Sequence, residues 1–386
     1  MRRRHFVTGL AGATAGVGLG ALPLGASAGA SPDSTRAGGP AGSPATATAG
    51  QWLQSTAPPG AEASRLLKVA AAGPELAWAV GEQARDARTP GRPLALRWDG
   101  TAWSHTDVTH LGITGSISEV SGIAPDAAWA VAGDTGDGPR HLLRWDGTTW
   151  QDTAFPGSTD PGTRLRALTV AEDGRAWVAG VLGGRVRLLH WDGGVWRWLP
   201  PLPEGTPVPW NAHLAADGSV WVSGDGIARW DHKEWTVLPA PGGIRQTLVD
   251  LLPVAADDAW AVGAAFGVGG PPGKPPGVVL LRWNGTAWVS QQGLPFSVGA
   301  LNSVVGDADG NPALIAGWDF WDGTRTHYLR RDGDGWSSER GPLATGETPM
   351  MLDLAAVPGT EAVWSVGANT RYSTTPPARL RIEHYG

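Results

Sequence analysis

Two short motifs alternate along this chain, seven times each, and that periodicity limits its possible folds more than any other feature. The first is Ala-Trp-Ala-Val-Gly. Trp78, Trp129, Trp177, Trp221, Trp260 and Trp364 share its second position, and Ala313-Leu314-Ile315-Ala316-Gly317 is a copy without Trp. The second is Leu-Arg-Trp-Asp-Gly-x-x-Trp, around Trp98, Trp145, Trp191, Trp230 and Trp283. It degenerates to Arg330-Arg331-Asp332-Gly333 and then to Arg381-Ile382-Glu383-His384. Successive first motifs lie 39 to 54 residues apart, the length of one unit of four short strands.

The first repeat shows how such a unit is built. Leu66–Ala71 reads as an apolar strand and Ala77–Gly81 as the next, joined by a Gly-Pro turn. Leu94–Trp98 is the third, and Asp99-Gly100 is a two-residue hairpin signal leading to a fourth over Ala102–Val108. Alternation puts Leu94, Leu96 and Trp98 on one face, with Trp103 beside them across the hairpin. Two large aromatics on one face suit sheets stacked face to face around an axis. The seventh repeat stops at Tyr385-Gly386 without a fourth strand, whereas Gly50-Gln51-Trp52-Leu53-Gln54 is a fourth strand without a repeat. Pairing residues 51–56 with the last unit (352–386) closes the ring and removes its edges. The expectation is therefore all-β: a seven-bladed β-propeller of four-stranded blades over residues 51–386, closed by its own N-terminal strand.

Composition supports this and excludes other classes. Gly (57) and Pro (32) make up just under a quarter of 386 residues, about twice their usual share, yet 41% of residues are hydrophobic. That mixture fits many short strands joined by turns, not a disordered chain. There is no Cys, hence no disulfide and no thiolate metal site. A net charge of −6 without a basic patch argues against nucleic acid as a partner. Arg2, Arg3 and Arg4 precede His5 and Phe6, matching the twin-arginine pattern of two Arg, any residue, then Phe; a Gly- and Ala-rich apolar stretch runs to Leu24, and Ala26-Ser27-Ala28 is a small-x-small cleavage site. Residues 1–28 read as a twin-arginine signal and residues 29–50 as a flexible linker. The mature protein is then secreted, monomeric and without an integral membrane segment.

The motifs resemble those of bacterial secreted propellers built on Trp-Ala-Val-Gly and Trp-Asp-Gly-x-x-Trp repeats, which are broadly similar to Kelch-type propellers such as the galactose-oxidase core. The resemblance implies a fold, not an activity. A copper radical oxidase of that type needs a Tyr–Cys cross-link, and this chain has no Cys. The Asp-Gly-Thr-x-Trp turns resemble sialidase Asp-boxes but lack the residue between Asp and Gly, so they read as hairpins.

Subtracting the repeat isolates the residues free for function. Of 22 Trp, all but Trp198, Trp210, Trp318 and Trp321 occupy repeat positions. Connections from second to third strand, and from fourth strand to the next blade, emerge on one face, where loops vary without disturbing the sheets. The most unusual of them is Trp318-Asp319-Phe320-Trp321-Asp322, whose aromatics and acids suit stacking on sugar rings. Its alternative role is to fold back over the space left by Leu314 and Arg331. Trp210 is placed to line or plug the mouth of the central channel, and Arg371, Tyr372 and Phe266 are further loop candidates. Asp134, Asp137, Asp319 and Asp322 are candidates for a carboxylate set or a Ca²⁺ site, with surface solvation as the default. The His residues have no metal-ligand spacing, and no nucleophile elbow or phosphate loop is present. The expected function is a binding module for an extracellular glycan or protein, with no cofactor. The alternative is an exported hydrolase or lyase with its site at the channel mouth.

Overall fold

The computed structural model describes residues 50–85, 91–136, 138–204, 206, 209–224, 226–239, 246–265, 276–370 and 378–386. The expected signal lies outside the described residues, as do nearly all of the linker and Phe266, Asp137, Arg371 and Tyr372. Seven antiparallel four-stranded sheets follow one another over residues 65–105, 117–152, 164–198, 211–238, 246–290, 299–340 and 348–385. The protein is a seven-bladed β-propeller. In the last blade the strand order is Thr348–Ala356, Val363–Thr370, Arg379–Tyr385, then Trp52–Ser55 from the N-terminal end.

There is no single core. Seven apolar clusters form, one between each pair of neighbouring blades. The second-strand Trp of blades seven, one and two enters between the third- and fourth-strand aromatics of the next blade. Trp364 lies 4.9 Å from Trp98 and 5.1 Å from Trp103, and Trp129 lies 5.3 Å from Trp191 and 4.9 Å from Trp196, most of these pairs edge-on. The anchor Arg side chains belong to the same packing: Arg144 sits over Trp129 at 5.5 Å and Arg282 over Trp260 at 5.4 Å.

The hairpin turns differ in detail from expectation. Trp98 pairs with Trp103, and the four residues between them are held by the Asp99 carboxylate, which accepts from Thr101 N and Ala102 N, both at 2.9 Å. Asp146, Asp192, Asp231 and Asn284 repeat the arrangement. The fourth strand is also short, Trp103–His105, because Asp107 turns the chain by accepting from Thr109 N.

Blade seven corrects the register of its degenerate motif. Tyr385 pairs with Val363 as Trp98 pairs with Ala77, so His384 and Tyr385 take the Arg and Trp positions, not Arg381 and Ile382. Arg381 and Glu383 face inward instead, 1% and 0% exposed. They bond each other, and Glu383 accepts from Thr326 Oγ1 (2.9 Å) and Tyr328 OH (2.8 Å) of blade six. Arg381 donates to Pro342 O at 2.7 Å and to Gln54 Oε1 of the closing strand at 3.4 Å. Trp52 stacks flat on Tyr328, with centroids 3.6 Å apart, and donates to Glu339. The space beside Leu314 is thus filled by Tyr328 and Trp52, not by the 318–322 segment.

Six of the seven innermost strands carry a bulge near their start, and the residues just after it include Lys68, Glu119, Asp250, Ser303 and Asp353. These form a hub on the axis. Asp353 accepts from Val69 N of blade one, Asp250 from Val304 N of blade six, and Ser303 Oγ from Leu354 N of blade seven. Lys68 reaches from blade one to Asp353 (3.3 Å) and, across the bore, to Asn211 of blade four (3.5 Å). Burial alone would depress the Lys68 ammonium, but Asp353, Glu119 and Asp250 outweigh it and raise its pKa well above the ordinary lysine value. Desolvation pushes Glu119 up to about 8 against the pull of Lys68. Burial opposes ionisation of Asp250 too, but His213, Lys68 and Val304 N hold it at about 2.

Deleting residues up to Ser55, or Trp52→Ala, removes the closing contact and should cost about 3–5 kcal/mol in urea denaturation. The turn carboxylates give an acid limb. Backbone N–H bonds first, then Thr101, hold Asp99 at about 2, below the unfolded value near ~3.9. Their contribution is therefore present above pH ~4 and is lost as pH falls toward ~2. Replacing Asp99, Asp146, Asp192 and Asp231 by Asn, the residue already present at 284, should flatten that limb in denaturation midpoints measured from pH 5 to 2.

Candidate functional site

Within the expected site, the Trp318–Asp322 segment rises from a buried foundation to one exposed side chain. Trp318 and Asp319 end the second strand of blade six, Pro312–Asp319, and are only 6% and 7% exposed. Phe320 packs edge-on against Trp318 at 5.8 Å, and Trp321 against Phe320 at 5.0 Å. Trp321 itself is 77% exposed. Its backbone N–H is tied to Asp319 Oδ1 at 3.0 Å, so the indole stands on a fixed base. Asp322 accepts from Thr324 Oγ1 at 2.7 Å and pairs with Arg340 at 2.9 Å. Those bonds, the Thr324 hydroxyl foremost, hold its carboxyl below the usual range.

Trp210 precedes the innermost strand of blade four, Asn211–Leu214, and is 41% exposed. It donates to Leu248 O of blade five at 3.3 Å, on the same face as Trp321 and beside the hub residue Asn211. Lys68, reaching Asn211 beside it, crosses the bore. The structure does not bring Asp134 together with Asp319. They occupy corresponding positions in blades two and six, five residues after Trp129 and Leu314. Among the described residues no group of three or more His, Asp or Glu is placed to hold a metal ion.

What sequence reasoning missed is the partner each of these acids shares. His141 and His327 both stand three residues before the third-strand Arg, at Arg144 and Arg330. In blade two, His141 lies 2.7 Å from Asp152 and 3.6 Å from Asp134. In blade six, His327 Nε2 lies 2.5 Å from Ser338 Oγ and Nδ1 lies 3.6 Å from Asp319. Asp152 pairs with Leu143 as Ser338 pairs with Leu329, so the two constellations are the same positions used twice. Their electrostatics diverge. The hydrogen bond to Asp152 raises the pKa of His141, whereas burial, then the charge of Arg340, lowers that of His327 to about 4. Aligning the blades by their anchors would have exposed the coincidence; a search for contiguous motifs does not.

No protein-family model and no curated protein sequence matches the chain. Solved structures do. A YCF48 structure bound to a D1 peptide matches with a TM-score of 0.56 at 13% identity, covering 87% of this chain and 96% of that one. A streptogramin B lyase matches with a TM-score of 0.56 at 11% identity, covering 87% and 97%. The WD40 propeller domain of Doa1 matches with a TM-score of 0.56 at 10% identity, also covering 87% and 97%. At such identities the likeness shows the fold alone.

The division of the 318–322 segment is directly testable. Trp321→Ala should leave the denaturation midpoint within about 0.5 kcal/mol of wild type, as for an exposed side chain. Trp318→Ala should cost about 3–5 kcal/mol, as for a buried one.

Proposed function

We propose that the protein is an exported binding module that recognises an extracellular glycan or protein ligand through its loop face. The observation that carries this reading is Trp321, an indole 77% exposed on a segment pinned by Asp319, Asp322 and Arg340. A pre-positioned aromatic loses little conformational freedom on binding and offers a flat apolar face to a sugar ring or a partner side chain. Trp210 adds a second exposed indole at the channel mouth on the same face. Export rests on the twin-arginine pattern at Arg2–Phe6 and the small-x-small site at Ala26–Ala28, and kinship with secreted Kelch-like propellers rests on the repeat motifs. The hydrolase-or-lyase reading at the channel mouth has less support. The hub carboxylates Asp250 and Asp353 are committed to Lys68, His213, Ser303 and backbone N–H groups.

The test is a glycan array together with a pull-down from cell-envelope fractions, run with wild type and Trp321→Ala. Retained ligand should weaken by about 2 kcal/mol, roughly 30-fold, on removal of the indole. Binding unchanged by the substitution, or no ligand above background for wild type in either format, would overturn the proposal.

A further inference from the structure

Blade six carries a hydroxyl, an imidazole and a carboxylate in series, and the binding reading uses only the carboxylate, Asp319, as the acceptor that holds Trp321 N–H. Ser338 lies on the outermost strand, Gly335–Arg340, and is exposed to solvent. Behind it His327 is 2% exposed and Asp319 7%. His327 and Leu329 share one side of the third strand, and Ser338 pairs with Leu329, so the hydroxyl lies diagonally beside the imidazole on the side facing blade five. Nε2 is 2.5 Å from Ser338 Oγ, and Nδ1 faces Asp319 Oδ2 at 3.6 Å. Phe296 from the preceding connection stacks on the imidazole at 4.3 Å and fixes its plane. Arg340 follows Ser338 by two residues, on the same side of the strand, with its guanidinium held by Asp322 at 2.9 Å.

We propose that Ser338 is the nucleophile of an acyl-transfer site for carboxylic esters, with His327 as its general base and Asp319 as a positioning residue that orients the imidazole. Ser338 Oγ bonds to the ester carbonyl carbon while its proton passes to His327 Nε2. The carbon–alkoxide bond breaks and the alcohol leaves with that proton. Water then adds to the acylated Ser338, giving up a proton through His327, and releases the carboxylic acid. Arg340, two residues beyond Ser338 on the same side of the strand, is assigned to stabilise the developing oxyanion. Burial, then the Arg340 charge, keeps His327 neutral at physiological pH, so that its imidazole can accept a proton. The 3.6 Å gap to Asp319 is of the kind that tightens when substrate binds.

Blade two is an internal reference. It retains the loop Asp and the His but has Asp152 where blade six has Ser338, so it ties its loop to the sheet without a hydroxyl beside the imidazole.

The test is labelling of the whole protein with a fluorophosphonate, read by mass spectrometry. The probe forms a Ser Oγ–P bond, expels fluoride and leaves the proton on His327. One adduct is expected, at Ser338. It should be absent in Ser338→Ala, whose denaturation midpoint stays at the wild-type value, and at least tenfold slower in His327→Gln and Asp319→Asn. Hydrolysis of 4-nitrophenyl acetate should exceed that of Ser338→Ala by at least tenfold. Asp319→Asn should also move the acid limb of labelling to lower pH, because the carboxylate raises the His327 pKa; a purely structural role would leave the limb in place. No adduct at Ser338 in folded wild type, or an adduct whose rate ignores His327→Gln, would overturn the proposal. Should His327→Gln fail to fold, the wild type and Ser338→Ala pair decides it.

Discussion

Every blade of this protein depends on its neighbour for somewhere to put an indole. A single four-stranded sheet with Trp on both faces would leave large apolar areas in water, and each buried Trp removes on the order of 200 Å². In every blade but the sixth a second-strand Trp packs against the next blade, so the contact is directional and recurs around the ring. Such an arrangement has no natural end. It is satisfied only when the last blade meets the first, as Trp364 meets Trp98 and Trp103. Stability without any disulfide then comes from seven interfaces, the last of which is made only when the ring is closed.

Closure makes different demands inside and outside. On the axis, bulges bring polar residues of several blades to one level, where carboxylates cap the N–H groups of the next blade. Their negative charge is offset by one ammonium, Lys68, which spans to Asn211 on the far wall. At the rim, the closing strand contributes Trp52 to an interface that has no second-strand Trp, only Leu314. Tyr328 replaces an apolar residue there, and its hydroxyl requires a buried acceptor, which Glu383 provides. Arg381 compensates Glu383, and Gln54 ties the pair to the N-terminal strand. The one interface joining the two ends of the chain is thus specified by polar partners as well as by shape.

The repeat was legible because its periodicity is a direct image of geometry. Trp positions mark the faces, Asp-Gly marks the turns, and a surplus strand at one end with a deficit at the other marks closure. The candidate site was legible only in part. The run Trp318-Asp319-Phe320-Trp321-Asp322 stands out by composition, but which indole is buried depends on where the strand ends, and Trp318 lies within it. Arg381 looked like an anchor because its residue type matched; the ladder places it three residues before the Arg position. His327, Ser338 and Asp319 span 20 residues of chain. No local pattern joins them, only the antiparallel register does.

Register also explains why blade six departs so far from the repeat. Along its third strand the side chains alternate between two neighbours. Tyr328 and Arg330 face blade seven, where Tyr328 stacks on Trp52 and Arg330 lies over Tyr385 at 4.1 Å. His327 and Arg331 face blade five, where His327 meets Phe296 and Arg331 sits over Trp260 at 5.2 Å. The departures therefore have two separate causes interleaved in one segment. The even-numbered positions serve closure of the ring, and substituting them should be felt as stability. The odd-numbered position at 327 leads outward to Ser338 and upward to Asp319 and the exposed Trp321. A strand of period two lets one blade carry both without conflict, because a change on one face leaves the packing of the other in place.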